Sequence, residues 1–197
     1  MKARMLSSFA VAVSLVAGGA GIVGCSTAPP TENQRQTMTN RVDAVLDEMK
    51  RSDPGLADTL NRAYGYAVFP DASKAGFIGG GSFGRGEVFE QGKFVGWAKL
   101  EQATVGLQAG GATYDELIIF QDQASFRKFQ RGEWAPAANA TAVILKAGAA
   151  ASAPYKEGVL VLVNTKGGAM LEAAVGGQKF TFRAGENRHS PDSAWTD

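Results

Sequence analysis

Beyond Tyr64 the chain is a succession of short apolar runs separated by turn signals, and this pattern constrains the fold more than any other feature. The turn signals include Pro70-Asp71, Gln91-Gly92 and Gly110-Gly111. Short runs at regular spacing with glycine-containing turns are typical of an antiparallel meander. The clearest hairpin has Gln91-Gly92 near its tip. The predicted strands cover residues 66–69, 76–78, 87–89, 94–100, 104–108, 117–120, 141–145, 158–163, 169–174 and 178–183.

Ahead of Tyr64 the apolar residues recur at helical spacing from about Thr37. One face of this helix carries Met38, Val42, Val45, Leu46 and Met49. The polar face mixes acids and bases, so we expect the apolar stripe to pack on the domain core. Contact with a membrane surface is the alternative for such an amphipathic helix.

Three further segments have helical signals. Asp53 is predicted as an N-cap with Pro54 at the first helical position, which begins a short second helix that ends at about Ala63. Residues 125–130 form a short helix with Phe126 and Phe129 on one side. The alanine-rich residues 147–153 are compatible with helix or strand.

Glycine accounts for 25 of the 197 residues, well above the usual share of about 7%. These glycines are dispersed among Val, Ile and Phe, which indicates turns and close backbone approaches in a sheet. We therefore predict one α+β domain over residues 37–183. It is dominated by an antiparallel, curled or barrel-like sheet with the N-terminal helices packed on it. Residues 25–36, with Pro29-Pro30, are predicted to be a tether, and residues 184–197 a flexible tail.

The N-terminus has the pattern of an export signal. Lys2 and Arg4 precede an uncharged stretch from Met5 to Val23. The stretch ends in Ile22-Val23-Gly24-Cys25, which resembles the lipobox of bacterial lipoprotein precursors. Residues 1–24 are then a cleaved signal peptide, and the Cys25 thiol carries the lipid.

Two alternatives remain for this segment. Cleavage after Ser26-Thr27-Ala28 would release a soluble periplasmic protein, and an uncleaved stretch would approach the length of a membrane span. An Asp directly after the lipidated cysteine resembles an inner-membrane retention signal, and this chain has Ser26 at that position. We expect an outer-membrane, lipid-anchored protein whose domain faces the periplasm, with surface exposure left open.

Several function classes lack the residues they need. After removal of residues 1–24 there are 18 basic and 19 acidic residues, so no global charge favours nucleic acid. The single Cys and the single His, His189, argue against a metal site or a histidine-based triad. Residues 79–84 match G-x-G-x-x-G, but a strand follows where a dinucleotide site needs a helix. The carboxylates of Asp115, Glu116 and Asp122 are predicted to be solvated strand ends.

An ordered series of motifs runs through about residues 55–182. It begins with Leu60-Asn-Arg-Ala-Tyr-Gly-Tyr-Ala-Val-Phe-Pro-Asp-Ala-Ser-Lys-Ala-Gly-Phe77 and continues through residues 79–88, 106–111, 117–120, Phe129 and residues 166–168. The series resembles the SYLF domain, a lipid-binding family whose eukaryotic members also bind actin. The resemblance implies a membrane-associated domain that binds lipid, with phosphoinositides as the eukaryotic ligands. Actin binding is not transferred, because an exported bacterial protein has no access to such filaments in its own cell.

Three functional hypotheses follow. In the first, a non-catalytic lipid-binding module binds the anionic headgroups of phospholipids or a lipid A phosphate. Lys74, Arg85 and Lys93, which flank the glycine-rich residues 79–86, are the candidate cations. In the second, the lipoprotein binds another envelope protein through Trp97, Trp134 or Trp195. An enzyme comes third, because no catalytic constellation is visible. No cofactor or metal is expected.

Overall fold

A computed structural model describes residue 29 and residues 31–75, 80–104, 112–136, 142–166 and 177–188. Cys25, the predicted strands at residues 76–78 and 169–174, and Trp195 lie outside these ranges. The described helices are α1 (Glu32–Ser52), α2 (Leu56–Arg62), α3 (Gln123–Gln130) and α4 (Ala149–Ser152). The described strands are β1 (Gly65–Ala75), β2 (Gly80–Glu90), β3 (Lys93–Thr104), β4 (Ala112–Phe120), β5 (Val143–Ile144), β6 (Val159–Thr165) and β7 (Gln178–Ala184).

The seven strands form one sheet in the order β5-β6-β4-β1-β2-β3-β7. Every neighbouring pair is antiparallel except the short pair of β5 with β6. The turn between β2 and β3 is the predicted hairpin. Gln91 and Gly92 have φ angles of 49° and 75°, the left-handed values that a two-residue hairpin turn requires at both positions.

The sheet curls strongly, as two contacts between distant strands show. The rings of Phe69 on β1 and Phe180 on β7 are 5.7 Å apart, although β2 and β3 lie between these strands. A flat sheet would separate β1 from β7 by about 14 Å, at about 4.8 Å per strand. Gln178 on β7 also donates a hydrogen bond of 2.9 Å to Glu116 on β4. The predicted α+β domain with a curled antiparallel sheet is therefore confirmed.

Both faces of the central strands β1 and β4 are buried. The concave inner face packs Ala67, Phe69, Val88, Ile118 and Phe120 against Phe126 and Phe129 of α3. The outer face packs Val68, Phe89, Leu117 and Ile119 against α1, α2 and α4. Side chains of β1 and β4 therefore alternate between two apolar layers.

Helix α1 covers the outer face with the predicted stripe. Val42, Val45, Leu46 and Met49 are buried, so the predicted core packing of this helix is confirmed. The helix begins at Glu32, five residues before the predicted start at Thr37. Thr31 is the N-cap, and its side chain accepts a hydrogen bond from the Gln34 amide, a local signal in the residues assigned to the tether.

The prediction that Asp53 caps the second helix was wrong. Gly55 holds the N-cap position of α2 and makes no side-chain cap hydrogen bond. The fully buried Asp53 carboxylate instead accepts hydrogen bonds from the amides of Gly55, Gly148 and Ala150. Two of these donors are more than 90 residues away, so local spacing gave no sign of them.

The turn predicted at Pro70-Asp71 was also wrong, because β1 continues through it to Ala75. Asp71 adopts a φ of 52°, and the register with β4 shifts between Phe69 and Ala72. The two residues therefore form a β-bulge, which bends the strand without ending it.

The chain beyond β7 is held in place as far as Arg188. The Gly185 amide donates to the Val95 carbonyl at 3.0 Å. Arg188 forms ion pairs with Asp43 of α1 at 2.8 Å and with Glu87 of β2 at 2.6 Å. The first residues of the predicted flexible tail therefore fasten α1 to the sheet.

Replacing Gly86 with alanine is expected to unfold or strongly destabilise the domain. A Cβ there would overlap the Val68 carbonyl oxygen of the neighbouring strand β1. Because backbone cannot move aside cheaply, we expect a loss of at least about 2–3 kcal/mol in the free energy of unfolding. Urea denaturation measures it.

The matched control for this prediction is Gly84→Ala, two residues earlier on the same strand. The nearest atoms to a Cβ at Gly84 lie 3.5–3.7 Å away, which is ordinary contact. We expect this variant to stay within about 1 kcal/mol of the wild type. Equal stability of the Gly86→Ala variant and the wild type would contradict the strand packing described above.

Candidate functional site

A cleft of about 560 Å³ opens at the hairpin end of the sheet, where the Gln91-Gly92 turn lies. Its walls come from the end of α1, from α2, from the start of β1 and from the hairpin. The volume lies within the range typical of small-molecule sites. The lining residues are Lys50, Ala57, Leu60, Asn61, Arg62, Ala63, Tyr64, Tyr66, Gln91, Gly92 and Gln121.

The step from α2 to β1 positions most of this lining. Ala63 caps the end of α2 in an extended conformation, and its amide bonds back to the carbonyls of Leu60 and Thr59. The chain therefore changes from helix to strand within three residues. This places Asn61 and Arg62 on one side of the cleft and Tyr64 and Tyr66 on another.

The charge in the cleft is positive. Among the described residues of the lining, the charged ones are Lys50, which is half-buried, and Arg62, which is exposed; no carboxylate is among them. Within the described ranges neither cation forms an ion pair. The amides of Asn61, Gln91 and Gln121 add hydrogen-bond donors and acceptors. This arrangement suits an anionic group with further polar substituents.

Two tyrosines form a rigid wall of the cleft. The Tyr64 hydroxyl donates to Glu90 at 2.6 Å and accepts from Gln123 at 2.8 Å. The hydrogen bond to the Glu90 carboxylate raises the pKa of Tyr64. Tyr66 stacks on Phe89 with ring centroids 4.8 Å apart, and burial raises its pKa.

A second, smaller groove of about 230 Å³ adjoins the cleft. Arg62, Ala63 and Gln121 line both, so the two volumes lie side by side. The rest of its lining comes from Thr59, Tyr155 and two alanines of α4.

The three sequence-predicted cations lie on three neighbouring strands, at positions spread along the length of β2. Lys74 lies opposite Ser82, Arg85 opposite Lys99, and Lys93 opposite Glu90. Ser82 and Glu90, the β2 residues opposite Lys74 and Lys93, are eight residues apart, which is roughly 26 Å at 3.3 Å per residue. The exposed Lys93 directly follows Gly92 of the cleft, whereas Arg85 is exposed midway along the sheet.

Sequence analysis missed Lys50 and Arg62. Arg62 lies inside the motif from Leu60 to Phe77, and that was the available signal. No sequence signal pointed to Lys50, because its position in the cleft depends on how α1 packs across the outer face of the sheet.

The prediction that Asp115 and Glu116 are solvated was wrong, since both are fully buried. Asp115 accepts hydrogen bonds from the Asp71 amide at the bulge and from Lys166, at 3.0 and 2.9 Å. Burial still raises the pKa of Asp115. Asp122 is exposed and caps α3 by accepting from the Ser125 amide. These carboxylates hold the fold together, and they face other parts of the domain than the cleft.

Glu87 belongs to another structural network that the sequence did not reveal. Its buried carboxylate accepts hydrogen bonds from Thr39 of α1 at 2.8 Å and from Arg188 at 2.7 Å. Burial raises the pKa of Glu87, and the two donors oppose that shift.

Two of the predicted tryptophan anchors are not available at the surface. Trp97 is 1% exposed and packs its edge against Phe94, and Trp134 is 8% exposed and stacks on Phe180. The expectation that Trp97 or Trp134 anchors a protein partner was therefore wrong. Trp195 lies outside the described residues.

The described ranges hold neither a metal-ligand cluster nor a membrane-spanning helix. No group of three or more His, Cys, Asp or Glu side chains there is arranged to hold a metal ion. No described helix is long and apolar enough to cross a membrane.

Comparison with known proteins gives a distant relative. No family model matches the chain. Over 155 residues the chain is 27% identical to Beta cell expansion factor A of Aeromonas veronii, an alignment that covers 77% of this chain. It covers 59% of the relative, so the chain spans about three fifths of that protein's length.

Proposed function

We propose that this protein is an envelope lipoprotein whose SYLF-like domain binds anionic lipid headgroups in the cleft, without catalysis. The observation that carries the proposal is two cations, Lys50 and Arg62, that form no ion pair within the described ranges, in a cleft with no carboxylate in its described lining. A phosphate of a phospholipid or of lipid A would lie between them. Phosphoinositide-like headgroups also carry a negatively charged phosphate together with hydroxyl groups.

The position of the cleft within the motif series supports this proposal. Six of its eleven lining residues come from the first seven positions of the motif that begins at Leu60. The sequence that resembles a lipid-binding family is therefore the sequence that builds the cleft. Membership of the SYLF family is part of the proposal.

The anchor completes the proposed arrangement. The lipobox-like Ile22-Val23-Gly24-Cys25 supports diacylglyceryl modification of Cys25. An acylated cysteine, a few residues before α1, would keep the domain next to the outer membrane on its periplasmic side. Each buried acyl methylene contributes about 0.8 kcal/mol, so two or three chains hold firmly.

The second candidate function is an interaction lipoprotein that binds another envelope protein. Phe83 favours it, because this large apolar side chain is 60% exposed on β2 beside the exposed Arg85. An interface built on Phe83 should be insensitive to salt, whereas headgroup binding should weaken as salt rises.

The first experiment measures co-sedimentation of residues 26–197, which contain every described element, with vesicles. We expect binding to phosphatidylcholine vesicles that contain phosphatidylglycerol, and little to phosphatidylcholine alone. The double variant Lys50→Gln/Arg62→Gln should bind roughly 30-fold more weakly, since each cation near an anionic surface contributes about 1 kcal/mol.

The matched control changes two exposed cations outside the cleft, Lys128→Gln/Lys179→Gln, and carries the same change in net charge. We expect it to bind like the wild type. A third variant replaces Lys74, Arg85 and Lys93. A loss of binding confined to this third variant would move the site to β2 and contradict the cleft assignment.

Lipidation is tested separately in cells. A fatty-acid probe should label the wild-type protein, and Cys25→Ser should abolish the label because no other cysteine is present. The labelled protein should fractionate with the outer membrane. Absence of label on the wild type would refute the lipoprotein assignment and favour ordinary secretion.

A further inference from the structure

We propose that the cleft and the adjoining groove bind one amphiphilic molecule, with a phosphate in the cleft and an acyl chain in the groove. The inference rests on the proposed function and deepens it. The domain would then bind one whole lipid molecule, including part of its acyl chain, and not only the headgroups at a membrane surface.

One ligand could occupy both volumes because they lie side by side. Arg62, Ala63 and Gln121 line both. A phosphate near Arg62 would therefore lie where the cleft meets the groove. The remainder of the molecule can extend from that point without leaving the protein surface.

The two volumes differ in the chemistry of their own residues. The cleft has Lys50, three amides and two tyrosines in its lining. The groove adds Thr59, Ala150, Ala151 and Tyr155. The Thr59 hydroxyl donates to the Gly55 carbonyl at 3.1 Å, so its polar group is already satisfied. The groove therefore offers a ligand methyl groups and the Tyr155 phenol, with Arg62 and Gln121 on the side shared with the cleft. An alkyl chain would pack on the methyl groups and the ring, and its polar end would lie towards Arg62.

The floor of the groove is preformed. The amides of Gly148 and Ala150 donate to the buried Asp53 carboxylate at 3.1 and 2.7 Å. These bonds fix α4 against the start of α2, and the small alanine side chains leave the space open. A fixed surface binds a chain without the entropic cost of ordering a loop.

The test measures binding of three monomeric probes, below their critical micelle concentrations, to residues 26–197 by calorimetry. Dihexanoyl phosphatidic acid carries the phosphate and the chains, and glycerol 3-phosphate carries only the phosphate. Dihexanoyl phosphatidylcholine carries the chains without net charge. We expect phosphatidic acid to bind at least about tenfold more tightly than either of the others, because burial of two methylene groups suffices for that gain.

The variant Ala151→Trp fills the groove from an exposed helical position, and Ala147→Trp, exposed outside the lining, is its control. Ala151→Trp should reduce the affinity for phosphatidic acid to that for glycerol 3-phosphate, and the control should not. Equal wild-type affinity for these two probes would overturn the inference, and so would an unchanged preference in Ala151→Trp. Binding to anionic vesicles without binding of any monomeric probe would overturn the inference and leave the proposed function standing. If neither the anionic vesicles nor any monomeric probe bound, the inference and the proposed function would both be refuted.

Discussion

The buried carboxylate of Asp53 determines how the helices frame the candidate site. It follows the last turn of α1, accepts from Gly55 at the start of α2, and accepts from Gly148 and Ala150 of α4. A buried charge without partners would be strongly destabilising, so this position is stable only when all three backbone segments are in place. One side chain therefore fixes the relative positions of three helices whose residues line the cleft and the groove.

The sheet provides the second constraint, because β1 and β4 are buried on both faces. Their side chains alternate between the concave inner core, which includes Phe69 and Phe120, and the outer core under α1. A sheet covered on two sides leaves little surface for a ligand along its strands. The cleft lies at the hairpin end, where α2 passes into β1 and the motif residues Asn61 and Arg62 are exposed.

The strand pattern and the hairpin at Gln91-Gly92 could be predicted from sequence, because period, turn residues and glycine content are local signals. The packing of α1 was predictable for the same reason. The burial of Asp115 and Glu116 was not, since it depends on how distant segments pair in the sheet. Asp71 of β1 and Lys166 after β6 reach Asp115 as sheet neighbours of β4, and the curl brings Gln178 of β7 to Glu116. The sequence predicts a cationic lipid site at other residues, and the cationic cleft in the structure includes Lys50 only because of tertiary packing. Arg62 was within the recognised motif and was overlooked in favour of the glycine-rich strand.

The most direct measurement of the central claim maps the ligand onto the domain by nuclear magnetic resonance. Amide shifts of residues 26–197 would be followed during titration with monomeric dihexanoyl phosphatidic acid. The account predicts saturable shifts around Arg62, Tyr64, Gln91 and Gly92, with smaller changes elsewhere. Shifts confined to Phe83 and Arg85 on β2, or no saturable shifts, would contradict binding in the cleft.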